Sequence, residues 1–163
     1  MQGGFMKEII YLTGDATAPE TKGLKIIVHV CNNIGEWGKG FVMAVSTRWP
    51  EPESQYKKWY REKEKNDFGL GAVQFVQVED DLWVANMIGQ HDTRPTPKGP
   101  PIRFTAVEKC LDQVKDKALA LNATVHMPRI GCGLAGGRWE EIEPIIHRQL
   151  STKEIAVYVY DRE

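Results

Sequence analysis

The chain has no run approaching the ~18 consecutive apolar residues of a membrane-spanning helix. Its opening residues, MQGGF, lack the basic start and apolar stretch of a signal peptide. Cysteine is scarce: three stand at 31, 110 and 132, with no CxxC spacing. An odd, scattered count excludes a disulfide framework and points to a reducing, cytoplasmic setting. An excess of either charge is also missing. Lys and Arg total 21 against 22 Asp and Glu, for a net charge of −1. That balance counts against a strongly basic nucleic-acid scaffold and a polyacidic tail protein. No G-x-x-x-x-G-K-[ST] stretch is present, which removes a nucleotide-hydrolysing P-loop. His126 and His147 have no partner at metal-ligand spacing, and neither a metal nor a cofactor is expected. His29 and Cys31 are expected on opposite faces of a strand, a poor metal pair or Cys–His dyad.

What the chain does have is an ordinary globular mix, 42% hydrophobic and 26% charged, which excludes disorder. Its 163 residues suffice for one domain that buries roughly 70% of its unfolded surface. Residues 1–6 are expected to be a leader or flexible N-terminus, with Met6 an alternative start. Residues 7–163 are expected to form a single domain, and the chain a monomer. Short apolar runs predict strands at 8–12, 24–31, 72–78, 82–88, 124–127 and 155–160. The run at 24–31 is nearly continuous, as for a strand covered on both faces. The acidic turn 79–81 joins two of the strands as a hairpin. Helices are predicted at 41–49, 54–65, 104–121 and 139–150. Phe104, Val107, Leu111, Val114, Ala118 and Leu121 recur three or four apart and carry the strongest signal. Alternating strands and helices imply an α/β fold, a three-layer α/β/α sandwich with a mixed, mainly parallel central sheet. The strand order is not readable from the pattern.

Two glycine-rich turns carry the chemistry. Gly35-Glu-Trp-Gly38-Lys-Gly40 joins the strand at 24–31 to a helix. Gly131-Cys-Gly133-Leu-Ala-Gly136-Gly137 lies between the strand at 124–127 and another helix. In open α/β sheets ligands bind beyond the carboxyl ends of strands. There each turn aims backbone N–H groups and a helix N-terminus at one spot, which favours an anion. Two such turns suit a pyrophosphate gripped from both sides. The second turn matches G-x-G-x-x-G literally, but too few residues follow it for a dinucleotide-binding unit. Cys132, within an anion-binding turn, is expected to have a lowered pKa.

With Gly14-Asp15 after the first strand, VHVCNNIGEWGKGF at 28–41, MPRIGCGLAGGRWEEIEPII at 127–146 and VYVY at 157–160, the chain resembles a macro domain. This is the ADP-ribose-binding fold, and the resemblance runs from residue 7 to 161. It is nearest the subgroup holding the terminal ADP-ribose protein glycohydrolase and the yeast ADP-ribose-1″-phosphate phosphatase. The resemblance implies that Asp15 accepts from the adenine amino group and that Tyr160 stacks on or edges the adenine. Gly131, Cys132, Gly133, Leu134, Ala135 and Gly136 would wrap the pyrophosphate, next to Pro128. Asn32, Asn33, Gly35, Trp37, Gly38, Lys39, Gly40, Phe41 and Gln90 would hold the distal ribose or line its surroundings.

Departures from the subgroup matter as much. Its catalytic lysine falls at Gln90 and its aspartate at Ala135. The water-orienting aspartate of another macro-domain subgroup falls at Val42. That leaves His29, Asn32 and His91 as catalytic candidates, since an imidazole serves as acid or base near neutral pH. Three readings follow. The chain hydrolyses ADP-ribose-1″-phosphate or an ADP-ribosyl linkage, or it is a non-catalytic reader of ADP-ribose, or it binds nucleic acid. Its partners are ADP-ribose or a derivative, or a protein or nucleic acid that carries one.

Overall fold

The computed structural model describes residues 7–97 and 99–162, so the expected leader at 1–6 lies outside the described residues. Among the described residues six strands form one sheet: β1 (Ile10–Thr13), β2 (Lys25–Asn32), β3 (Val73–Glu79), β4 (Leu82–Gln90), β5 (Thr124–Met127) and β6 (Val157–Asp161). Their order is β1-β6-β5-β2-β4-β3. The β3–β4 pair is antiparallel and every other pair is parallel. The expected hairpin and mixed, mainly parallel sheet are therefore present.

The sheet is covered by α1 (Phe41–Arg48), α2 (Glu51–Arg61), α3 (Phe104–Leu121) and α4 (Trp139–Gln149). The alternation of side chains along each strand decides which layer they meet. Ile26 and Val28 of β2, Ala85 and Met87 of β4, and Val125 and Met127 of β5 pack with α3 and α4 in one core. Ile27 and Cys31 of β2 and Val84 and Ile88 of β4 pack with Trp37, Val45, Tyr56 and Trp59 in the other. β2 and β4 are buried on both faces, which is why they read as near-continuous apolar runs.

The periodic stretch at 104–121 is α3, stopped by Asn122 in the left-handed conformation. The helix expected at 54–65 begins earlier, at Glu51, and ends at Arg61; a separate 3-10 turn spans Lys63–Lys65. Pro50 and Pro52 mark its start because the first helical turn needs no N–H from proline. Among the described residues no helix is long and apolar enough to cross a membrane.

Candidate functional site

β2 and β5 are parallel neighbours, so the turns that follow them open at the same edge of the sheet. The first turn leads into α1 through Gly40, whose φ of 82° and ψ of −147° suit glycine. A methyl group placed on Gly40 would stand 3.5 Å from Leu134 Cδ1 of the second turn. Residues nearly a hundred positions apart thus meet across one groove. The amides of Gly38 to Val42, and those of Gly133 to Ala135, meet no acceptor among the described residues. Two runs of free N–H groups bordering one groove make a place for a polyanion.

Each turn is braced from within. Asn32 Oδ1 accepts from the amides of Ile34 (3.0 Å) and Glu36 (3.1 Å) and from the Tyr56 hydroxyl (2.8 Å). Its Nδ2 donates to Glu36 O at 2.7 Å. In the second turn Gly137 N donates to Gly131 O at 2.7 Å and Gly136 N to Gly133 O at 3.1 Å.

No protein-family model matches the chain. A solved macrodomain protein from Streptomyces coelicolor is 56% identical, with a TM-score of 0.87 over 96% of this chain and 100% of that one. The chain belongs to the macrodomain family. The chromodomain-helicase-DNA-binding protein 1-like of Danio rerio is 32% identical over 94% of this chain, which spans only 16% of that protein's length. The ADP-ribose 1''-phosphate phosphatase of Lodderomyces elongisporus is 26% identical over 93% of this chain and 98% of its own.

Within this macrodomain the expected site residues divide into groove and core. His29 is core: it is 2% exposed, and its ring packs on Trp37 and Phe41. Its Nε2 lies 2.6 Å from Asn86 Oδ1, its register partner on β4. Burial pulls its pKa down to about 4, against the opposing bond from Asn86. A neutral ring sealed in this way has no face for a ligand, which corrects its candidacy as acid or base. The expectation for Cys31 also fails. Residues two apart on a strand share a face, and Cys31 Sγ lies 3.8 Å from His29 Nε2. Burial holds that thiol well above its ordinary pKa, so the pair is inert.

Asn32 is 8% exposed and committed to its own turn, so it shapes the groove rather than lining it. Replacing it with alanine strips the amides of Ile34 and Glu36 of their acceptor, while the Tyr56 hydroxyl keeps the backbone carbonyl of residue 32 at 2.7 Å. The expected cost is about 2–4 kcal/mol in urea unfolding; a loss under 1 kcal/mol would contradict this bracing role. Trp37 is 7% exposed and donates to Ser46 Oγ at 2.7 Å, so it anchors the core beneath the turn. A side chain at Gly35 would collide with the Tyr60 ring, so this glycine also serves the turn's packing. Gly38, Lys39 and Gly40 are exposed at the groove, with Phe41 half-buried behind them.

In the second turn Gly133, Leu134 and Gly136 are exposed, while Pro128, Gly131 and Cys132 are half-buried and Ala135 is buried. The thiol of Cys132 is not activated: burial raises its pKa, outweighing the lowering influence of Arg129. Tyr160 lies beside Gly14 and is 8% exposed. Its hydroxyl pairs with His126 Nδ1 at 2.8 Å, so only its ring remains for a ligand.

Asp15 is not a bare acceptor. Its Oδ1 accepts from the amide and hydroxyl of Thr17, and Arg48 Nη2 sits 3.2 Å from its Oδ2. Burial works to raise its pKa, but these bonds bring it below the ordinary value. The sequence reading missed Arg48, which reaches Asp15 from the end of α1, 33 positions away. A cleft of about 620 Å³ runs along α1 from Ala44 to Trp49 and reaches Asp15 and Arg162; neither glycine turn lines it.

A third wall comes from β4. Gln90 ends that strand and the exposed His91 follows it, and Asn33 of the first turn bonds to both His91 and Asp92. The loop then crosses to the second turn, where Ile102 N donates to Ala135 O at 3.0 Å. Pro100 lies so near Gly136 that a methyl there would stand 2.7 Å from its Cβ. This contribution of the proline-rich stretch was not foreseen; its residues carry no motif. Among the described residues no group of three or more His, Cys, Asp or Glu is arranged to hold a metal ion.

Proposed function

We propose that this macrodomain binds ADP-ribose, with the diphosphate held between the two glycine turns, and hydrolyses ADP-ribose-1″-phosphate or an ADP-ribosyl linkage. One observation carries the reading: the free amides of Gly38 to Val42 and of Gly133 to Ala135 lie on turns so close that a methyl on Gly40 would stand 3.5 Å from Leu134 Cδ1. The full-length likeness to the yeast phosphatase supports the same ligand. In this reading the adenine lies toward Asp15 and Tyr160, and the distal ribose toward Asn33, Gln90 and His91. With His29 and Asn32 committed elsewhere, His91 is the catalytic candidate that remains at the groove. A carrier protein or nucleic acid bearing ADP-ribose would approach from the same open side. Free cysteines at 31, 110 and 132 fit a reducing, cytoplasmic location.

A second reading, a reader without turnover, is favoured by Gln90 and Ala135 at the subgroup's catalytic positions and by the sealed state of His29. Calorimetry and phosphate release decide between them. ADP-ribose is expected to bind in the micromolar range, ADP about tenfold more weakly and AMP weaker still, about 1.4 kcal/mol per tenfold step. Equal binding of ADP-ribose and AMP would overturn the diphosphate assignment. Phosphate release from ADP-ribose-1″-phosphate selects the hydrolase. Tight binding with no turnover of that compound or of ADP-ribosylated protein or DNA selects the reader.

A further inference from the structure

Both ends of the Asn33 side chain are engaged. Its Oδ1 accepts from Asp92 N at 2.8 Å, and its Nδ2 lies 2.9 Å from His91 Nδ1. The first bond fixes the amide's orientation, because a backbone N–H requires an oxygen opposite it. The NH2 group therefore faces the imidazole, and an amide NH2 only donates. His91 Nδ1 must be the acceptor, so the neutral ring carries its hydrogen on Nε2. His91 is exposed and its Nε2 meets no hydrogen-bond partner among the described residues, so that N–H is available to a bound molecule.

The surroundings leave this arrangement undisturbed. Asp92 Oδ1 is held by the amide and hydroxyl of Thr93. The Arg103 guanidinium, at the start of α3, donates to the carbonyls of Pro100, Pro101 and Ile102. Lys39 of the first turn is exposed and shares no bond with the ring. His91 N is itself tied to Pro101 O at 2.8 Å.

We infer that Asn33 is a positioning residue: it joins the first glycine turn to the loop after β4 and holds His91 as an outward-facing hydrogen-bond donor. What His91 donates to rests on the proposed function. A donor at Nε2 complements an anionic oxygen, such as that of a phosphate on the distal ribose. It does not suit a step in which Nε2 must first remove a proton, since that requires the other tautomer and loss of the bond from Asn33. The site therefore favours a 1″-phosphate over a linkage that needs a base at this position.

The test reads the tautomer in the ligand-free protein. Long-range proton–nitrogen correlation spectra of histidine-labelled chain at neutral pH, assigned with His91→Gln, are expected to show His91 protonated at Nε2 and bare at Nδ1. Asn33→Asp keeps the acceptor for Asp92 N but replaces the donor facing the ring, so Nδ1 is expected to become protonated. Asn33→Ala removes both bonds and should give a mixture of tautomers. An Nδ1–H ring in the parent chain, or an unchanged Nε2–H tautomer in both variants, overturns the inference. Asn33→Ala is also expected to lower kcat for phosphate release by about tenfold with KM within about threefold; unchanged kcat overturns the link from Asn33 to turnover. If the parent binds no ADP-ribose while the tautomers respond as expected, the proposed function fails and the role of Asn33 stands.

Discussion

Gly137→Ala is expected to weaken ADP-ribose binding by at least ~100-fold, or about 2.7 kcal/mol, and to destabilise the fold by about 1–3 kcal/mol. The added methyl would sit 2.6 Å from Gly131 O and 2.9 Å from Ile142 Cδ1. Neither neighbour can yield easily. Gly131 O is backbone and already accepts from Gly137 N at 2.7 Å, closing the second turn. Ile142 is fully buried in the core under α4. The turn must open, and the amides of Gly133 to Ala135 then lose their alignment with those of the first turn. Gly133→Ala is the matched control. Its methyl meets nothing within 4 Å and its backbone is not in the left-handed region, so stability should stay within about 0.5 kcal/mol. If Gly133→Ala nevertheless loses affinity, a ligand approaches that amide closely. If Gly137→Ala binds and unfolds like the parent, the description of the turn is wrong. Calorimetry and urea unfolding read both.

The second large effect is a loss of stability in mild acid. His29 and His126 are buried, and burial brings each pKa down to about 4, with the Lys25 charge adding to the effect at His126. The unfolded chain takes up these protons near pH 6.5 and the folded chain only near pH 4. Between those values the unfolded state binds more protons, so stability is complete above about pH 6.5 and drains away as pH falls toward 4. Each histidine contributes on the order of 3 kcal/mol, and a domain of this size has only about 5–15 kcal/mol in total. Urea unfolding between pH 7.5 and 4.5 should show this slope, and a flat profile would refute it. His29→Gln retains a donor for Asn86 Oδ1 and should be less stable than the parent at pH 7.5 but flatter below 6.5. The carboxylates of Asp15, Glu53, Asp81 and Asp161 lie below their ordinary pKa values. Their contribution persists at pH 5 and is lost only further down, so it does not mask the histidines.

Much of the fold was legible because local pattern and burial agree. The three-four spacing from Phe104 to Leu121 matches α3 at both ends, and the apolar run before Asn32 is a central strand. The order of the strands was not legible, because it depends on pairings between β1 and β6 or β2 and β5 that no local pattern encodes. The glycine turns were recognisable by composition. What their neighbours do was not. Asn32 looks like a ligand group in the sequence, yet the amides of Ile34 and Glu36 and the Tyr56 hydroxyl claim its oxygen. His29 looks like an acid or base, but Asn86 arrives opposite it only when β2 pairs with β4. Polar side chains late in a buried strand are ambiguous until cross-strand partners are known.

The loop after β4 is fastened at both ends of its path, to Asn33 on one side and to Ala135 and Gly136 on the other. It works as a strut between the two halves of the groove. Lengthening it, or exchanging Pro100 for a bulkier residue, would push both walls at once. Descendants of this chain that drift in that stretch should therefore change in matched sets, with position 136 following position 100 and position 33 following position 91.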